Sequence, residues 1–132
     1  MQLLETRVAP EVLTWEQLWQ IPNSGLVYIA GPYRASASAT ILEHVRTAER
    51  AAIALAREGL FYVYPHMNSA FICGVAPDAY FLALGLELLN ACSAMLLLPG
   101  WRSSEGTCAE YAAMLARGCP IYELSLKENA IE

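Results

Sequence analysis

The chain has 132 residues, 56% of them hydrophobic and 16% charged, with a formal net charge of −5. That length suits one domain with one core, and so apolar a composition calls for a well-buried sheet plus surface hidden in an oligomer. No apolar run approaches the roughly 18 residues of a membrane span, the start MQLLETRVAPE carries no basic segment followed by an apolar one, and no basic cluster exceeds a pair. Membrane insertion and a nucleic-acid polymer as partner are therefore not expected, and a cytoplasmic location is.

The segment TWEQLWQI is the first clear element: Thr14 and Gln17 have capping-box spacing, and a short helix with Trp15, Leu18 and Trp19 on it would seek an apolar surface. Pro22, Asn23 and Gly25 end it. LVYIA, from Leu26, reads as a buried strand, GPYRASASA as a small-residue loop, and TILEHVRTAERAAIALAREG as a long helix with Thr40 and Glu43 at its start and Gly59 at its stop. LFYVY is a second strand closed by Pro65. The loop 66–77 is long for a simple connection, which marks it as a candidate functional loop. Asp78 is placed to cap a helix running to about Ala91, with AYFLALGLELL apolar nearly all round and in need of cover on both sides. AMLLLP is a third strand, residues 100–106 lead into a third long helix that Gly118 stops, and PIYEL is a further strand.

Strands that are continuous apolar runs, alternating with helices, indicate a parallel sheet covered on both faces. The expected fold is a small doubly wound (Rossmann- or flavodoxin-like) α/β domain of about four to five strands spanning residues 26–126. Residues 1–25 form a helical extension and 127–132 a tail. Such sheets bind ligands at the carboxyl ends of their strands near the switch point, so the loops 31–39, 66–77 and 100–105 should converge there. Cys73, Cys92, Cys108 and Cys119 include no C-x-x-C pair, and His44 and His66 stand too far from them to complete a zinc pattern; free thiols are expected, with no metal and no organic cofactor.

YIAGPYR (28–34), PHMN (65–68) and LLLPGW-x-x-S-x-G-T-x-x-E (96–110), with Ala112, Gly118 and Pro120 beyond, together resemble the nucleoside 2-deoxyribosyltransferase superfamily, and more closely its compact branch often met in phages and prophages. The resemblance covers residues 26–124. The PGW…GT-x-x-E portion is also similar to the signature of the phosphoribohydrolases once misnamed lysine decarboxylases, which cleave the same bond type. The resemblance implies action on the N-glycosidic bond of a nucleoside or nucleoside 5'-monophosphate, by hydrolysis or by transfer. It implies that Glu110 is the nucleophile or cation-stabilising carboxylate and that Tyr28 orients it. Gly31, Pro32 and Arg34 match the first ligand loop, and Ser104, Gly106 and Thr107 match the loop that receives a 5'-phosphate. Two departures stand out: relatives carry acids where this chain has Gly85 and Ser93.

Elementary chemistry agrees with the assignment, since glycosidic cleavage passes through an oxocarbenium-like state that a carboxylate can trap or stabilise. A carboxylate in the first turn of a helix is held ionised by the macrodipole, and free N–H groups there suit a phosphate. Each residue also has a plainer reading. Thr107-x-x-Glu110 is itself a capping-box pattern; Arg34 and Arg102 could be solvated loop charges; His66 and Asn68 could bond within their loop; Tyr33 and Trp101 could stack on a base or simply pack. Asp78 suits a helix cap, although Asp78, Glu87 and Glu105 are the nearby acids that might replace the missing ones, and His44 suits a surface or an interface. Rival functions are a nucleotide-binding module without turnover, consistent with Gly85 and Ser93, and an oligomeric scaffold. The apolar helix from Asp78 to Ala91 and the two N-terminal tryptophans predict a homodimer or larger.

Overall fold

The runs LVYIA and AMLL become the central strands β2 (Leu26–Ala30) and β4 (Ala94–Leu97). A strand covered on both faces has no place for a polar side chain, which is why neither run alternates. The computed structural model, which describes residues 10–33, 40–65 and 74–125, sets them side by side in parallel, with Tyr28 opposite Met95 and Ile29 opposite Leu96. β3 (Phe61–Val63) flanks β2, and β5 (Ile121–Leu124) flanks β4. The helices α1 (Ile41–Arg57), α2 (Asp78–Asn90) and α3 (Glu105–Ala116) connect them.

A strand missing from the sequence reading, β1 (Glu11–Leu13), completes a five-stranded parallel sheet of order β1-β5-β4-β2-β3. Leu13 lies opposite Leu124, and Ser125 N–H donates to the Leu13 carbonyl at 2.7 Å. Three residues are too few for a periodic signal; this strand exists because β5 offers it an open edge. The N-terminal segment thus adds a strand as well as a helical turn. That turn, Trp15–Gln20, is a 3-10 helix that buries Leu18 and leaves Trp19 63% exposed. Half of its expected box forms: Gln17 Oε1 accepts from Thr14 N–H at 3.0 Å, while the buried Thr14 hydroxyl finds no partner.

Alternation along the strands divides the core in two. Val27, Ile29, Leu96 and Leu124 face α1 and the 3-10 turn, packing on Ala48, Ala51, Leu55 and Leu18. Tyr28, Ala30, Met95 and Leu97 face α2 and α3, packing on Leu89, Trp101 and Met114. The molecule is a small doubly wound α/β domain with helices on both faces. From β2 the chain first moves outward to β3 by way of α1, then returns past β2 to β4 by way of α2, so the switch point lies between β2 and β4. No helix among the described residues is long and apolar enough to cross a membrane.

Candidate active site

Tyr28 is the third of the five β2 residues, and the pleat aims it at the α2/α3 layer, where it is fully buried. Opposite it, α3 begins at Glu105 with Ser104 as its cap, the Ser104 hydroxyl accepting from Thr107 N–H at 3.2 Å. This start sets the helical phase. Thr107, Glu110 and Met114 fall on one buried stripe, at the spacing of residues that share a helix face. Glu110 is therefore drawn into the core, 7% exposed, where Tyr28 O–H donates to its Oε2 at 2.8 Å. Oε1 makes no hydrogen bond among the described residues.

Two expectations for Glu110 change. Thr107 is not a cap: its N–H is taken by Ser104, and the Glu110 carboxylate turns to Tyr28 rather than back along its own helix. The capping-box reading of Glu110 is thereby overturned. Nor does Glu110 occupy the first turn, where the macrodipole would hold it ionised; it lies about 7.5 Å below the helix start. Burial instead pushes its carboxyl above the ordinary Glu range, and the Tyr28 hydrogen bond pulls it partly back. The phenol is driven far upward by burial and by the carboxylate beside it, so Tyr28 keeps its proton and stays neutral. The result is a desolvated, basic carboxylate with one oxygen fixed and no cation paired to it among the described residues.

Gly85 of α2 is the third member of this group, and its role could not be read from residue type alone. Its carbonyl stands 3.2 Å from the Tyr28 hydroxyl, and a Cβ here would lie 2.9 Å from Glu110 Oε2 and 3.1 Å from Tyr28 Oη. A lone Gly within AYFLALGLELL weakens the helix and hints at a packing reason, but it does not name the partner. Arg117 supplies a further unanticipated support, its guanidinium donating to the Leu89 carbonyl at 2.9 Å and tying α3 to the end of α2. The other departure, Ser93, is remote from the pair. It precedes β4 beside Gly25 and Leu26, at the amino ends of the strands, where its N–H bonds the Leu26 carbonyl at 2.9 Å.

Above the pair, the loops after β2 and β4 meet. Leu98 N–H bonds the Ala30 carbonyl at 2.8 Å, a Cβ on Gly31 would lie 2.7 Å from that of Leu98, and one on Gly100 would sit 3.4 Å from Pro32. Gly100 has φ +84°, which turns the chain sharply after β4. Pro32 and Tyr33 are half-buried at this edge. Gly106, in the first turn of α3, has open space where a side chain would project. Thr107 is buried, so its side chain contributes packing on the α3 stripe. Trp101 differs from a stacking platform: it is 5% exposed, with the Tyr111 ring centred 4.8 Å away and the Arg102 guanidinium 4.5 Å over it. Arg102 in turn forms a two-pronged pair with Glu123 at 3.0 and 3.3 Å. Asp78 is the first residue of α2, after Pro77 at the cap position, while Glu87 and Glu105 are exposed. His44 is half-buried in α1, on the opposite face of the sheet, with Nε2 enclosed and without a partner. Arg34, His66 and Asn68 lie outside the described residues, as does Cys73; Cys92, Cys108 and Cys119 are free thiols.

The site thus unites Tyr28, Gly85 and Glu110 beneath two converging loops and the start of α3. No curated protein matches the chain. Residues 25–123 match the model of a domain of unknown function, DUF4406, a span that takes in the whole of this site and every strand except β1 and the final residue of β5, and the chain belongs to that family.

Proposed function

We propose that the protein cleaves or transfers at the N-glycosidic bond of a nucleoside or nucleoside 5'-monophosphate, with the Glu110 carboxylate acting at C1'. The observation that carries this reading is the buried Tyr28–Glu110 pair at 2.8 Å, set below the switch point of a doubly wound sheet. The resemblance to the nucleoside 2-deoxyribosyltransferase superfamily supplies the reaction class. Tyr28 fixes Oε2 and leaves Oε1 for the sugar. As the bond between C1' and the base nitrogen breaks, its electron pair leaves with the base, and positive charge gathers on C1' and the ring oxygen. An ionised carboxylate in a desolvated site stabilises that charge more strongly than it would in water, or closes on C1' as a nucleophile. Water then completes hydrolysis, or a second base completes transfer.

The open N-terminal turn of α3 supports the placement of a 5'-phosphate. Ser104 already caps Thr107, so the donors left for an anion are the backbone N–H groups of Glu105 and Gly106, helped by the opening beside Gly106. The separation of about 7.5 Å between this turn and Glu110 is one that a pentose with its 5'-phosphate can span. Arg34, His66 and Asn68 complete the reading as sugar and phosphate contacts, and Tyr33 takes the stacking role that the enclosed Trp101 does not fill. The reaction as written uses neither metal nor organic cofactor, and the substrates are those of a cytoplasmic enzyme.

A nucleotide-binding module without turnover is the second reading, favoured by Gly85 standing where the resembled enzymes carry an acid. A chromatographic screen of nucleosides and their monophosphates for free base separates the two. Release from any one supports the enzyme; thermal stabilisation by a nucleotide without release supports the module.

A further inference from the structure

The Tyr28 hydroxyl has one proton and two acceptors within reach, Glu110 Oε2 at 2.8 Å and the Gly85 carbonyl at 3.2 Å. It also has lone pairs with which to accept. When Glu110 is ionised, Tyr28 O–H donates to Oε2, and the Gly85 carbonyl is satisfied by its own helix. When Oε2 carries a proton, Oε2–H donates to the Tyr28 oxygen, and the Tyr28 proton turns to the Gly85 carbonyl. Both states keep every donor of the trio paired, the condition under which buried polar groups escape the cost of an unmade hydrogen bond.

The second state depends on residue 85 having no side chain. A Cβ would stand 2.9 Å from Oε2 and 3.1 Å from the phenol oxygen, and would force α2 away from both. We propose that Gly85 is a positioning residue: by bringing bare helix backbone within reach of the Tyr28 hydroxyl, it supplies a second acceptor and lets Glu110 hold a proton inside the closed site. On the reading that Glu110 is the reacting carboxylate, the same group can then take a proton from the attacking water and keep it with no exposed acid beside it. The surroundings leave the trio to itself. Burial and Tyr28 are what act on Glu110; from the turn before β4, Cys92 acts on Tyr28; from the end of α3, Arg117 acts on Cys92, whose thiol is pushed up to about 11. From α2 itself the acids Asp78 and Glu87 are exposed.

Carbon-detected NMR on the intact, uniformly labelled protein tests this across a pH titration. The Glu110 carboxyl carbon reports its own protonation, and the Gly85 carbonyl carbon reports the hydrogen bond it gains. The expected result is that the Gly85 carbonyl shifts with the same midpoint as Glu110, and that Tyr28→Phe abolishes the Gly85 shift while Glu110 still titrates. A Gly85 carbonyl that stays flat through the Glu110 titration overturns the proposal, as does one that shifts equally in Tyr28→Phe, because it would then be sensing the charge directly. Gly85→Ala should move the Glu110 midpoint down toward an ordinary Glu; an unchanged or higher midpoint also counts against it. The measurement is made on the resting protein, so it is decided independently of whether any base is released.

Discussion

Replacing Tyr28 by Phe deletes one buried oxygen and nothing else, so the change isolates the hydrogen bond that orients Glu110. In the native protein that bond is 2.8 Å long, fully buried, and made to a carboxylate. A hydrogen bond to a charged group contributes about 1.5–3 kcal/mol, and one between neutral groups about 0.5–1.5. At pH 8, with Glu110 ionised, Tyr28→Phe should therefore cost about 1.5–3 kcal/mol. For a domain of this size that lowers Tm by about 6–12 °C. Near pH 4 the carboxyl is protonated and the loss should shrink to about half. Losing the donor should also raise the Glu110 midpoint further, since Tyr28 is the influence that holds it down against burial. Paired thermal melts of wild type and variant at the two pH values measure this. An equal loss at both, or none at pH 8, would refute the claim that Tyr28 binds an ionised carboxylate.

Ser104→Ala removes the cap on Thr107 N–H and should cost about 1 kcal/mol; by loosening the turn that holds the Glu105 and Gly106 N–H groups proposed to bind phosphate, it should also narrow the preference for monophosphates over nucleosides in calorimetry, and an unchanged preference would count against that site. Glu110→Gln should stabilise the fold at neutral pH. The native carboxyl titrates above its unfolded value, so wild-type stability falls as pH rises from the ordinary Glu range through the native midpoint and is flat beyond it. Each pH unit of that window costs about 1.4 kcal/mol. Denaturant melts across pH should show Glu110→Gln lacking the falling limb, and parallel profiles would contradict the sign. Light scattering should show a homodimer or larger at micromolar concentration, because the described residues leave several large apolar side chains exposed, among them Tyr80 at 55% and Leu82 at 45% on α2; a monomer would overturn it.

What the sequence made legible follows from how strongly each residue type constrains its surroundings. Apolar runs such as LVYIA have few alternatives to a central strand, and Thr40 with Glu43 formed the reciprocal box their spacing announced, at 2.8 and 3.1 Å. β1 was illegible because three residues carry no period and its pairing is supplied wholly by β5. The start of α3 at Glu105 lies within a residue of the expected boundary, and only the capping pattern at Thr107 misleads. Ser104 and Thr107 are both sound caps by type, and only the packing of Met114 and Glu110 against the sheet settles the helical phase that selects Ser104. The pairing of Tyr28 with Glu110 was implied by resemblance, whereas the third partner, Gly85, acts through the absence of a side chain and through its backbone carbonyl. A residue that contributes in that way is visible only once three elements are packed together.

If Glu110 reacts at C1', Glu110→Gln should lose turnover. Gln keeps the volume and can still accept from Tyr28, so the fold should persist while the charge is lost. The assay is chromatographic release of free base from whichever nucleoside or monophosphate wild type cleaves fastest, run beside a melt that verifies folding. Wild type should release base and folded Glu110→Gln should release none. Undiminished release by that variant would contradict the assignment of Glu110 as the reacting carboxylate.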